Sequence, residues 1–167
     1  MRKLLAGCIL TLALSGCGPA EQQSTGPLEI TRSTACALDG MLLGDYPGPA
    51  AQIHYERGSP EFFCDTMELF SIYLRPEQVR TVTALYVQDM GKTGWENPQG
   101  NWIDAKLAYY VHGSTKHGAM GPTLAPFSRQ EDAENFVRQF GGTVLRFDRV
   151  TPDLVALDGG ALHDQRM

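Results

Sequence analysis

In Glu61-Phe62-Phe63-Cys64-Asp65-Thr66-Met67-Glu68-Leu69-Phe70 a strand pattern gives way to a helix pattern. Glu61-Phe62-Phe63 suits a strand, and Asp65-Thr66 is a helix start, because a short polar side chain there can accept from the unpaired N–H groups of the first turn. Met67, Phe70, Ile72, Tyr73 and Leu74 follow one helical face, and Pro76 ends the helix. Upstream, Ala51 to Arg57 alternates apolar and polar residues as a strand does, and Gly58-Ser59-Pro60 turns the chain. Downstream, Thr81 to Val87 is rich in β-branched residues and predicts another strand. The order is ββαβ.

The same order recurs. After the Asn97-Pro98-Gln99-Gly100 turn, Trp102-Ile103-Asp104 and Ala108 to His112 predict two strands. Ser128 with Glu131 forms a capping-box pattern for a helix over Arg129 to Phe140, whose apolar stripe is Ala133, Phe136, Val137 and Phe140. Gly141-Gly142 stops it, and Thr143 to Phe147 predicts the closing strand. Phe63-Cys64-Asp65 opens the first helix as Phe127-Ser128-Arg129 opens the second. The expected fold class is α+β: two ββαβ units in pseudo-repeat. Gly44-Asp45-Tyr46-Pro47-Gly48-Pro49 is a loop, since two prolines bar regular helix. The patterning fades after Asp153, so residues 29–152 are expected to form the domain and 153–167 a tail.

The first residues belong to targeting rather than to the fold. Arg2 and Lys3 precede a short apolar run, Leu4 to Leu14, too brief for a membrane span of about 20 residues. Leu14-Ser15-Gly16-Cys17 resembles a bacterial lipobox, which makes 1–16 a signal peptide and Cys17 the lipidation site. Residues 17–28 form a polar, flexible tether. The expected location is the periplasmic face of a bacterial membrane. Gly18 rather than Asp after the cysteine favours the outer membrane in a Gram-negative host. Cleavage leaves 167 − 16 = 151 residues, and removal of Arg2 and Lys3 leaves 14 − 2 = 12 basic against 19 acidic residues, a net charge of −7. That balance excludes a nucleic-acid binder and suits a collector of cations. Cys36 and Cys64 then remain as thiols. In an oxidising compartment they could form a disulfide closing about 29 residues, worth roughly 3–4 kcal/mol in the chain-entropy model. Among Phe62, Phe63 and Met67, Cys64 is equally natural as a buried structural thiol.

Cys36-Ala37-Leu38-Asp39-Gly40-Met41 places a thiol and a thioether in one turn-prone segment. Such soft donors prefer Cu(I) among biological metals. Asp39 is a hard donor, better suited to closing the turn through its own backbone than to Cu(I). Met67 lies at helical spacing with Phe70 and Leu74 and belongs in the core. Met90 and Met120 sit in glycine-flanked loops, Asp89-Met90-Gly91 and Gly118-Ala119-Met120-Gly121, and are candidate further ligands, as is His117. His54 and His112 fall in predicted strands, and His163 in the tail. The chain lacks the four Cys or His ligands of a structural zinc site and the cysteine loop of a blue-copper site. A carrier of Cu(I) needs only two or three soft ligands, because low coordination lets an acceptor add its own.

The chain resembles the NosL family of lipoprotein copper chaperones that serve nitrous oxide reductase maturation. The resemblance runs from Cys36 to Asp148. It is carried by Cys36 with Gly40-Met41, Asp45-Tyr46-Pro47-Gly48-Pro49, Phe63-Cys64, Tyr86-Val87-Gln88-Asp89-Met90 and Trp102-Ile103-Asp104-Ala105, then by Ala108-Tyr109-Tyr110-Val111, Gly118-Ala119-Met120-Gly121 and Gly141-Gly142-Thr143-Val144-Leu145-Arg146-Phe147. It implies Cu(I) binding in the periplasm, delivery to the reductase's copper sites with an ABC-type membrane machine and its periplasmic partner, and a pair of ββαβ units similar to part of the organomercurial lyase. Some relatives carry Cys-x-x-Cys-Gly-Met, whereas Asp39 stands here at the second cysteine. Cys36 and Met41 are therefore the soft donors within the motif, with Met90, Met120, His117 or water to complete the site.

The expected protein is a metallochaperone and not an enzyme. Cys36, Met41, Met90 and Met120 are the expected copper ligands. Two alternatives stand beside it: an organomercurial-lyase-like thiol enzyme, which needs two thiols and a carboxylic acid, and a metal-free interaction module with a Cys36–Cys64 disulfide.

Overall fold

The computed structural model describes residues 26–156, and within them the two halves of the chain share one topology. In the first, β1 (Ala51–Tyr55), β2 (Glu61–Phe63), α1 (Thr66–Tyr73) and β3 (Val82–Gln88) build an antiparallel sheet in which β1 lies between β2 and β3. β4 (Trp102–Asp104) adds to its edge, with Val87 opposite Ile103. In the second, β5 (Tyr109–His112) lies between β8 (Ala125–Phe127) and β9 (Thr143–Arg146), with α2 (Gln130–Phe140) connecting the latter two. A small hairpin, β6 (His117–Gly118) and β7 (Gly121–Pro122), interrupts the second half between β5 and β8. In both halves the first strand is central to its unit, and the helix carries the chain from the strand on one side of it to the strand on the other. The signal segment and Cys17 lie outside the described residues. Among the described residues no helix is long and apolar enough to cross a membrane.

The pseudo-repeat and the α+β class are as expected, but the strand assignment within the second half differs. Trp102–Asp104 belongs to the first sheet, not to the second unit. The second unit's other strand is Ala125–Phe127, which the sequence reading passed over. Pro126 lies in its middle, opposite Tyr110. Proline removes a ladder donor, and the strand tolerates it because it is an edge strand.

The core shows why α1 and α2 read so differently in sequence. Leu69 and Phe70 are fully buried with Ile53, Leu85, Val87 and Tyr110. Phe70 meets Tyr110 edge-on at 5.2 Å and Phe147 at 5.3 Å. The Tyr110 hydroxyl, buried among these rings, donates to Ala105 O at 2.6 Å. α2 instead buries one stripe, Ala133 and Phe136, against Val111 and Phe127, and leaves its charged face to water. β1 was expected to alternate buried and exposed; all five of its residues are buried. Its polar side is covered by the incoming N-terminal segment. There the Gln52 amide accepts from Leu28 N–H and donates to Leu28 O, both at 2.9 Å.

Two end signals also resolve differently. Asp65 caps α1 as read, accepting from Met67 N–H at 2.8 Å. Ser128 does not cap α2. Its hydroxyl donates to the buried Asp89 carboxylate, and Arg129 takes the cap position without a side-chain bond. A hydrogen bond to a charged, buried carboxylate is about twice as strong as a neutral one, so Asp89 outcompetes the helix end. Beyond residue 152 the chain is not all weakly patterned tail: Pro152–Val155 forms a 3-10 turn, and Val155 is 1 % exposed in the main core.

Candidate metal centre

The loop bearing Cys36 and Met41 closes on itself. Ala35 and Leu42 form an isolated bridge. Within it, Cys36 N–H donates to Met41 O at 2.8 Å, and Gly40 N–H donates to Cys36 O at 3.0 Å. Asp39 Oδ1 accepts from Met41 N–H at 2.9 Å, the turn-closing role its position suggested. Gly40 has φ 78°, a left-handed conformation that glycine adopts without a steric penalty. A single further bond, Ala37 N–H to Phe62 O at 2.8 Å, ties this loop to β2. It lays Cys36 beside Cys64, two residues beyond Phe62.

The result is a compact set of donors. One ligand atom each from Cys36, Asp39, Cys64 and Glu68 lie within 4.8 Å of one another. Both cysteines are free thiols, 4 % and 3 % exposed. Glu68 is 1 % exposed, and its Oε2 gathers three contacts: Cys36 Sγ at 3.2 Å, Cys64 Sγ at 3.3 Å and Cys64 N–H at 3.1 Å. A carboxylate this deeply buried is tolerated only because it is so well partnered. Met41, Phe62, Trp102 and Ala119 pack around the two cysteines.

The electrostatics separate the two thiols. The Cys64 thiol beside Cys36 draws the Cys36 thiol below its ordinary range. Burial opposes this, while the backbone amides of Cys64, Leu38 and Asp39 assist. The Leu38 N–H points at Cys36 Sγ from 3.4 Å. Cys64 is pushed far up by its bond to Cys36, by burial and by the negative charge of Glu68. Of the two thiols, Cys36 is the one drawn toward the thiolate and Cys64 the one that holds its proton more tightly. A thiolate, not a thiol, is the metal ligand.

The sequence-expected residues are not all brought together. Cys36 and Met41 share this cluster. Met120 lies at the turn of the β6–β7 hairpin, 49 % exposed, next to Ala119, which packs into the cluster. Met90 is elsewhere: it is buried with Val111, Phe127 and Phe136, and its N–H donates to Pro126 O at 2.8 Å. The side chain of His117 is exposed on β6. His54 is structural, with Nε2 2.8 Å from Gln52 Oε1. Two members of the cluster were missed as functional residues. Cys64 carried a signal in the Phe63-Cys64 motif, but its apolar neighbours pointed to the core. Glu68 stood out only as an acidic residue four positions after a cysteine, between Met67 and Leu69.

Fold and cluster together define a small domain of paired ββαβ halves with a thiol- and carboxylate-lined candidate metal centre at the head of its first helix. The profile of the NosL family matches residues 27–155, and the chain belongs to that family. It is 40 % identical over 167 residues to the copper-binding lipoprotein NosL of Stutzerimonas stutzeri, covering 96 % of this chain and 87 % of the relative. It is 39 % identical over 161 residues to the copper-binding lipoprotein NosL of Achromobacter cycloclastes, covering 93 % and 82 %. The crystal structure of the copper chaperone NosL from Shewanella denitrificans superposes with a TM-score of 0.74 at 39 % identity, over 78 % of this chain and 98 % of that one. These relatives are named as copper-binding lipoproteins and as a copper chaperone, not as enzymes.

Proposed function

We propose that this chain is a lipid-anchored Cu(I) carrier on the periplasmic face of a bacterial membrane, passing copper by ligand exchange toward the copper centres of nitrous oxide reductase. The Cys36 thiolate and the Met41 thioether are its primary ligands, with Met120 supplying a third sulfur from the hairpin above. Cys64 and Glu68 act from behind: the Cys64 thiol draws Cys36 toward the thiolate, and Glu68 holds both sulfurs in place. Met90, packed in the second half, takes no part in this reading. The carrying observation is the gathering of the Cys36 and Cys64 sulfurs with the Glu68 and Asp39 oxygens within 4.8 Å, Met41 alongside. The names of the relatives support copper as the cargo and a lipoprotein as the form. The soft donors support Cu(I) over harder ions. Tethering by Cys17 fits the lipobox, and the outer membrane is the favoured anchor site.

An ABC-type maturation machine is the partner that receives the ion. Its donor displaces one thioether before the thiolate lets go. Competition titration with a Cu(I) chelator tests the binding half of the proposal: Cys36→Ser abolishes tight binding, and wild-type affinity in that variant overturns it. Delivery is tested by the copper content of the reductase in cells lacking this chain, which falls if copper is delivered to the reductase and stays normal if it is not.

A further inference from the structure

The hairpin that carries Met120 is held at its base far more firmly than at its tip. Gly118, in β6, is pressed from two sides. A Cβ there would lie 2.1 Å from Asp65 Oδ2, and a Cβ on Gly48 would lie 2.6 Å from Gly118 Cα. Asp65 also reaches the other strand's exit: its Oδ1 accepts from the Thr123 hydroxyl at 2.8 Å while accepting from Met67 N–H at the head of α1. The Thr66 hydroxyl donates to Leu124 O. From the opposite side, Trp95 Nε1–H donates to His117 O at 2.9 Å, and Trp95 O accepts from Gly48 N–H at 2.8 Å.

Capping alone does not account for Asp65. A cap needs one acceptor oxygen at a half-exposed helix end. Asp65 is fully buried, and its Oδ2 has no hydrogen-bond partner. An unpartnered oxygen of a buried carboxylate is costly and calls for a reason. The second half supplies a control: α2 starts with Arg129 in the equivalent place and no side-chain cap. A helix in this position forms without such a carboxylate.

We infer that Asp65 is a positioning residue for copper, clamping the base of the β6–β7 hairpin to the head of the helix that follows Cys64 and bears Glu68, so that Met120 stands over Cys36. The inference rests on the assignment of Met120 as the third ligand. The clamp joins the two sides of the site: the helix end whose Glu68 holds both cysteine sulfurs and the hairpin that bears Met120. Gly118 is part of it, because only a residue without a side chain lets Oδ2 approach so closely.

Asp65→Ser tests the clamp. Serine caps a helix as well as aspartate does but reaches neither Thr123 nor Gly118. The expected result is a roughly 10-fold loss of Cu(I) affinity, the lower end of what outer-sphere changes cause at metal sites, with one sulfur fewer in the X-ray absorption spectrum. In a Met120→Ala background the same substitution costs less than about 2-fold, because the ligand it positions is already gone. Equal losses in both backgrounds would mean a merely structural role and overturn the inference, as would wild-type affinity in Asp65→Ser. Hydrogen exchange of the hairpin amides in the metal-free protein reads the clamp without copper. It accelerates in Asp65→Ser if the clamp holds, and unchanged exchange overturns it. Should Met120→Ala bind copper normally, the ligand assignment fails while the exchange result still judges the clamp. If Asp65→Ser does not fold, Thr123→Val removes the hydroxyl at constant shape and is read the same way.

Discussion

The two ββαβ halves put the same backbone to different uses, and the contrast is sharpest where each helix begins. α1 starts at Thr66 and α2 at Gln130, so Cys64 corresponds to Ser128, Asp65 to Arg129 and Glu68 to Asp132. In the second half these positions are tied off structurally. Ser128 donates to the buried Asp89, and Arg129 pairs with Asp132 at 2.9 Å in the open. In the first half the equivalents are buried and reach outward to other segments. Glu68 gathers two thiols, and Asp65 grips a hairpin 58 residues away. A repeat folds on its hydrophobic pattern; the candidate site sits where the exposed Arg129–Asp132 pair of one copy is replaced in the other by buried Asp65 and Glu68 with partners on other segments.

Substitutions at paired positions can break this contrast. The largest effect is on folding. Phe70→Ala removes a fully buried ring and costs about 3–5 kcal/mol. Glu134→Ala, at the equivalent place on the exposed face of α2, stays within about 0.5 kcal/mol. Denaturant unfolding of both measures the difference.

Next comes copper affinity. Cys36→Ser loses on the order of 10²-fold or more, about 3 kcal/mol at 1.4 kcal/mol per tenfold, whereas Ser128→Ala leaves binding unchanged. Glu68→Gln keeps the shape but not the charge behind the thiols and weakens Cu(I) by roughly 10-fold. Asp132→Asn breaks only its exposed pair with Arg129 and changes neither affinity nor the metal spectrum. Competition titrations on the four proteins decide the matter, and a copper effect from either second-half variant would blur the division.

The smallest effect is in pH dependence. Burial pushes the Asp65 carboxyl up from 3.8 to about 7, against the hydrogen bonds from Met67 N–H and Thr123. The native state therefore holds this proton more tightly than the unfolded chain does. The stability it contributes is complete below about pH 4 and is lost as pH rises through about 7. The melting temperature of the metal-free protein, compared with that of Asp65→Ser between pH 4 and 8, shows a gap that narrows or reverses as pH rises. A gap constant across that range contradicts the shift.

Much of the fold was legible because its signals are local. Asp65 ahead of an apolar face, the stripe from Ala133 to Phe140 and the Gly141 stop each mark an element within a few residues, and Gly141 has φ 75° as a helix end there requires. What was not legible depends on pairing at a distance. Nothing near Trp102 says which sheet it joins, and Pro126 hides an edge strand. The site divides the same way. The Cys36–Met41 turn is a local feature and was readable. The participation of Cys64 and Glu68 follows from one bond, Ala37 to Phe62, that lays a loop against a strand far along the chain. Met90 and Met120 have similar glycine-bearing surroundings in sequence; only the pairing of the chain near Met90 with β8, and the hairpin around Met120, sends one into the core and leaves the other exposed, next to Ala119 of the cysteine cluster.

The most direct test of the copper assignment is X-ray absorption at the copper edge on the Cu(I)-loaded protein and its Cys36→Ser and Met120→Ala variants. The expected result is a shell of three sulfurs in the wild type, loss of one in Met120→Ala, and collapse of the sulfur shell in Cys36→Ser. A shell of nitrogen and oxygen alone, or a sulfur shell untouched by Cys36→Ser, would contradict it.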